Sequence, residues 1–307
     1  MSDQKKLVTE FLDLVIFLRE NFNCQMRLAH DAPVVAVIAA AVDHALRALR
    51  SDGPVATMAH QAEETNDSLE PVSKGPFDAK SYVLDDFLPS ITKTFPPIFV
   101  DEVLQSEKST VMAQACRDKG PKDSYCDNMR ILVNAALIYD IMGAKALGAE
   151  RRYRKCMFKL CATMMHEIQH ILTAFVGGRV VGTPKKINAH LVVQEKDAKE
   201  RPKPQKPEAG QHFEAKYFGG KTWDQPTYGQ RSKDPGEPLL IRPYQKRNEV
   251  GYLAEIIEDD AIMSFLCSGK CFYHIQRQLP NRLQISISLT DLRQKTRMSV
   301  ICLILLR

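Results

Sequence analysis

What this chain lacks narrows its functions first. It has no apolar run of the ~20 residues that a membrane-spanning helix requires; the stretch APVVAVIAAAV at 32–42 is far shorter. It has no block of lysine and arginine interleaved with aromatics, and a net charge of +5 on 307 residues is mild. A nucleic-acid partner is therefore not expected. No Gly-rich loop of the kind that cradles phosphates is present, and no internal repeat. Glu10 and Asp13 break up the apolar N-terminal segment, and no small-residue cleavage site follows, so no secretory signal is expected. The eight cysteines, at 24, 116, 126, 156, 161, 267, 271 and 302, show no spacing that would build a disulfide framework. A chain of this length does not need one, and reduced thiols in the cytoplasm or nucleus are expected. Cys267, Cys271 and His274 offer only three donors for a small metal site, and no local signature supports a cysteine nucleophile.

What is there is a chain with 44% hydrophobic and 26% charged residues, the balance of a soluble globular protein. Leu7, Phe11, Leu14, Val15 and Leu18 recur at helical spacing over 5–20, and a second helix is expected over about 33–49, stopped by SDGP at 51–54. These two make a helical N-terminal extension, 1–55. The polar, Pro- and Gly-containing segment HQAEETNDSLEPVSKGPFD at 60–78 reads as part of a linker, 56–80. A main domain follows over 81–266. In it, residues 130–138 suit a buried strand and the rest of 129–147 leans helical. A charged, Pro-rich loop is expected at about 194–206 and another loop at 223–238, and NEVGYLAEIIEDDAIMSFL at 248–266 reads as the last helix. Residues 268–307 carry seven Lys or Arg against one acidic residue, a basic tail (267–307) with no clean pattern.

The segment MMHEIQHIL, 164–172, holds the chemistry. On a helix over 153–176, Met157, Leu160, Cys161, Met164, Ile168, Ile171, Leu172 and Phe175 fall on one side, and Thr163, His166, Glu167, His170 and Thr173 on the other. The i, i+4 spacing sets the imidazoles of His166 and His170 one turn apart, pointing the same way, as two ligands of one Zn²⁺ require. Glu167, displaced by about 100° around the helix, is poorly placed to bind that ion. It is well placed to reach a water on it as general base.

HExxH is the motif of the zincin metallopeptidases, and the chain resembles that superfamily over the motif helix and one downstream segment. The metzincin extension is missing, because Thr173 and Val176 stand three and six positions past His170. A third ligand must come from elsewhere, and His190, Glu208, His212, Glu214, Glu255 and Glu258 are candidates. PEAGQHFEAKYFGG, 207–220, is the most telling stretch. Pro207 suits a helix start and Gly219-Gly220 its end; Ala209, Phe213 and Tyr217 make an apolar stripe; Glu208 and His212 share a face, with Glu214 turned away. This stretch is similar to the second motif of gluzincin sites, to the ligand helix of ImmA/IrrE-like metallopeptidases, and to a Glu-Ala/Ser-Gly pattern in fungal HExxH proteins. The likeness implies Glu208 as third ligand, with His212 or Glu214 supporting the shell. The alternative is Glu255, which with Asp259 matches a gluzincin Glu-x-x-x-Asp arrangement. Tyr217, Tyr228 and Tyr252 are candidate donors to an oxyanion.

The expectation is thus an α+β, mostly helical chain containing a zincin-like metallopeptidase domain. Its implied activity is zinc-dependent hydrolysis of a peptide bond in a peptide or protein substrate, with Glu167 as base. The alternative is a non-catalytic zincin-fold interaction module that still binds zinc.

Overall fold

Short runs of Ile, Val, Leu and Phe pair into a five-stranded mixed sheet, and one long helix crosses beside its edge. The computed structural model describes residues 14–21, 24–69, 77–102, 104, 112–117, 129–177, 187, 208–224, 238–246, 249–257, 259–268 and 284–287. The architecture is α+β with more helix than strand.

Strands β1 (Ile16–Asn21), β2 (Cys24–Arg27), β3 (Ile98–Asp101), β4 (Ala113–Arg117) and β5 (Met129–Asn134) lie in the order β2-β1-β3-β5-β4. β1, β3 and β5 run parallel, and β2 and β4 are antiparallel at the two edges. Side chains alternate across the sheet. Ile16, Ile98, Val100, Ile131 and Val133 enter the helical core, while Phe99 and Leu132 on the opposite face form a small cluster with Phe17, whose ring stacks on Phe99 at 4.8 Å.

The helices are α1 (Pro33–Leu49), α2 (Asp52–Asp67), α4 (Ala135–Ala146), α5 (Glu150–Gly177), α6 (Ala209–Tyr217) and α7 (Asp259–Ser268). Between α2 and β3 lies α3, which starts at Ala79–Ser81, widens into a π-helical segment at Tyr82–Phe87 and ends as Leu88–Lys93. Pro33 opens α1 at a position where its missing N–H costs nothing. Asn134, at the end of β5, caps α4 by accepting the Ala136 N–H, so the strand-to-helix change expected within 129–147 falls there. The 28 residues of α5 span about 42 Å. Met157, Leu160, Cys161, Met164, Ile168, Ile171 and Leu172 are all buried along its apolar side, against α1 and α4. A second, antiparallel sheet runs β6 (Lys221–Asp224), β7 (Pro238–Lys246), β8 (Glu249–Ile256), β9 (Gln284–Ile287).

Four sequence expectations differ from this. Ile16–Asn21 is a strand, not the end of a helix, because it fills a position between β2 and β3; residues 1–13 lie outside the described residues. The N-terminal part is no separate extension, since Leu14, Ile16 and most of α1 belong to the same core as α5. Residues 56–67, expected as the first part of the linker, belong to the helix Asp52–Asp67. Met58, Gln61, Ala62 and Thr65 are all fully buried. That i, i+3, i+4, i+7 stripe is half polar because it packs on the polar side of α5. Lastly, the segment over 248–266 splits into β8 and α7. Pairing with β7 and β9 overrides the helical pattern of its first half, and β9 takes Gln284–Ile287 out of the basic tail. The Pro-rich loop at 194–206 lies outside the described residues.

Candidate metal centre

The middle of α5 carries His166, Glu167 and His170, and three different elements cover this polar side. α6 reaches His166, β4 reaches Glu167, and α2 reaches the turn after His170.

The two imidazoles lean toward one another, with ring centroids 5.3 Å apart. Glu208 stands opposite them as the N-cap of α6, its backbone extended at φ −144 and ψ 108. Its Oε1 lies 3.2 Å from His166 Nε2 and 2.5 Å from His170 Nε2. One ligand atom from each of the three residues falls within 4.8 Å of the others. Zinc at 2.0–2.2 Å from N and O donors needs donor separations of about 3.3 Å; the His166–Glu208 pair matches this, and the closer His170–Glu208 pair would have to open by somewhat under 1 Å for the set to hold one ion. Two imidazoles and a carboxylate suit zinc better than an all-oxygen cation such as Mg²⁺ or Ca²⁺. Among the described residues no other group of three His, Cys, Asp or Glu converges in this way.

The tautomer of His166 is set from behind. Its Nδ1 donates to Glu214 Oε1 at 2.6 Å, and the other oxygen of Glu214 accepts the Thr222 N–H at 2.7 Å and its hydroxyl at 3.1 Å. With the proton held on Nδ1, Nε2 is left for a metal, the arrangement that orients ligating histidines generally. Burial opposes a charge on His166, yet its hydrogen bonds to Glu208 and Glu214 and their negative charges hold its pKa well above the ordinary imidazole value. Burial also works against the charge on Glu208, and the bonds from His166 and His170 outweigh it, holding the carboxyl well below the usual range.

Glu167 is 4% exposed. Its Oε2 accepts the N–H of Ala115 at 2.6 Å. Ala115 sits opposite Ile131 on edge strand β4, and its N–H leaves the sheet rather than bonding to β5. Glu167 is thus held by a backbone group of the edge strand. On the α2 side, Gln61 Nε2 donates to the Gln169 carbonyl and to Thr173 Oγ1, both at 2.9 Å, and ties the turn bearing His170 in place. Gly210 completes the packing, because a Cβ there would overlap the His166 ring. Gly219, at φ 74, ends the α6 segment in the left-handed region.

His166, His170 and Glu208 are brought together, with Glu167 beside them and Glu214 behind His166. The helical-wheel expectation that Glu214 points away from the Glu208 side is wrong, because Glu208 precedes the helix and does not follow its wheel. His212 is 4% exposed and lies near the ring of His60 on α2, centroids 6.0 Å apart. Glu255 is on β8, opposite Leu240 and Gln284. It shares no helix with Asp259, which pairs instead with Arg151 on α5 at 2.7 Å, so the Glu-x-x-x-Asp arrangement does not form. Tyr217 is 2% exposed, with its ring against Phe213 and Phe218 in the hydrophobic core. His190, Tyr228, Glu258, Cys271 and His274, and the side chain of Tyr252, lie outside the described residues. Cys156 and Cys161 are buried, Cys116 is half-buried and Cys267 is exposed. Four participants were missed from sequence: Gln61, Ala115, Gly210 and Thr222. Only Gly210 left a signal, as a glycine in the first turn of a helix. No helix among the described residues is long and apolar enough to cross a membrane. No protein-family model, no curated protein and no solved structure matches this chain.

Proposed function

We propose that this chain is a zincin-like metallopeptidase that hydrolyses a peptide bond with a water molecule as nucleophile. One observation carries this: a single carboxylate oxygen of Glu208 faces both Nε2 atoms of an HExxH pair, with the intervening Glu167 pinned at the sheet rim. The antiparallel edge strand β4 beside the motif helix supports the same reading, since zincins flank their metal cleft with such a strand.

His166, His170 and Glu208 would hold the ion, and Glu214 keeps the His166 proton away from it. A bound zinc ion supplies Lewis acidity and lowers the pKa of water toward neutrality. Glu167 takes the proton of the attacking water and passes it to the leaving amine, so no covalent enzyme intermediate forms. The Ala115 N–H fixes the Glu167 carboxylate during both transfers.

Zinc analysis with a peptidase assay tests this. The wild type should carry about one zinc per chain and His166→Ala none, while Glu167→Gln should keep its zinc and lose activity by about 10²–10⁴-fold. Undiminished activity in Glu167→Gln defeats the assignment of the base. A zinc-loaded wild type with no turnover on any peptide would instead describe a metal-binding interaction module.

A further inference from the structure

We propose that the first-turn amides of α6 restrict Glu208 to one ligating oxygen and thereby keep coordination positions open at the metal. This rests on His166, His170 and Glu208 being the ligands. Glu208 has a second role that an ordinary helix-borne ligand lacks: its side chain caps its own helix. Oε2 accepts the Gln211 N–H, and Oε1 receives a longer contact of 3.3 Å from the Gly210 N–H. The two oxygens are therefore sorted. Oε1 faces both imidazoles, and Oε2 is engaged by the helix.

A carboxylate free to swing can close on an ion with both oxygens. Glu208 can do so only by uncapping α6. Gly210 makes the sorting possible, because the His166 ring occupies the space that a side chain at 210 would take. The helix can then begin close enough for its capping residue to reach both histidines. Two nitrogens and one oxygen leave at least one position of a tetrahedral ion for water or substrate. The α6 amides thus act as positioning groups that distinguish a reactive centre from a closed structural one.

Cobalt(II) is the probe, because a four-coordinate field lacking inversion symmetry makes its visible absorption intense, and higher coordination weakens it. Gln211→Pro removes the N–H that Oε2 accepts, and Gln211→Ala, which loses the same side chain but keeps that N–H and should match the wild type, is its control. Gln211 is the third residue of α6, where an amide has no partner within the helix and proline is tolerated. The full-length wild type should bind cobalt with the intense spectrum. Gln211→Pro should give the weaker spectrum of higher coordination and bind roughly 10–100-fold less tightly. Identical spectra and affinities overturn the proposal and leave the ligand set standing. Failure of the wild type to bind cobalt overturns the ligand set, and the proposal with it. A second measurement needs no variant: the Gln211 amide of the wild type should stay protected from hydrogen exchange when zinc is loaded. Faster exchange on loading would mean that Oε2 has left the helix, and would overturn the proposal.

Discussion

Replacing Gly210 with alanine sets two effects of opposite sign against each other. By helix propensity alone, alanine should stabilise α6 by up to about 1 kcal/mol. The structure predicts the reverse. A Cβ at 210 would fall on the Cγ, Cδ2 and Nε2 atoms of His166, far inside the about 3.5 Å that carbon atoms prefer. The ring cannot simply rotate away, because its Nδ1 is bonded to Glu214, and Glu214 is itself held by Thr222. Either α6 shifts outward by roughly 1 Å or the His166–Glu214 bond breaks. Overpacking of this kind costs about 1–3 kcal/mol. After the propensity gain, a net loss of up to about 2 kcal/mol remains, which for a chain of 307 residues lowers Tm by up to about 3 °C. Both escape routes also spoil the ligand set, so zinc affinity should fall by roughly 10–100-fold. Thermal unfolding of the metal-free protein and a chelator competition measure the two effects separately. A raised Tm with unchanged zinc affinity would show that α6 does not pack on His166 as described.

Other perturbations probe the remaining parts. Glu214→Gln keeps the shape but weakens the acceptor behind His166; zinc affinity should drop about 10–100-fold in the same competition assay, and an unchanged affinity would remove Glu214 from the centre. Zinc binding at pH 7 should release a proton, because the metal displaces the Nε2 proton of His166 that faces Glu208 while Nδ1 keeps its own on Glu214; calorimetry in buffers of different ionisation enthalpy detects it, and heat independent of buffer would contradict it. In the metal-free protein, the raised pKa of His166 contributes stability that is complete below about 6.5 and lost as pH rises through its folded value. The depressed pKa of Glu208 contributes stability that is complete above about 4.5 and lost as pH falls through its folded value. Urea midpoints should therefore be highest between about pH 4.5 and 6.5 as far as these two groups decide, and a midpoint that keeps rising above neutrality would oppose this. Met58→Ala, at a fully buried α2 position, should cost about 2–5 kcal/mol in urea unfolding; a change within about 0.5 kcal/mol would restore the linker reading of this segment.

The parts of the centre that were legible in sequence share one property: each is encoded within a few residues. His166, Glu167 and His170 sit at fixed offsets on one helix, whose apolar stripe certifies the helix itself. Ala209, Phe213 and Tyr217 do the same for α6. Glu208 was found by resemblance, but its geometry was not, because a capping residue lies just outside the helical periodicity. What stayed hidden is the covering of the polar side of α5. Ala115 approaches Glu167 from 52 positions away and Gln61 approaches Gln169 from 108. The Ala115 contact uses a backbone N–H, which every residue but proline offers, so no residue type marks it. The same reason explains the misreading of α2. A stripe that packs on a polar surface is itself partly polar, and composition cannot tell such a stripe from a solvated one. A buried face lined with histidine and glutamate therefore needs partners that look like linker and loop in the sequence. At this centre those partners hold Glu167, His170 and His166 in place.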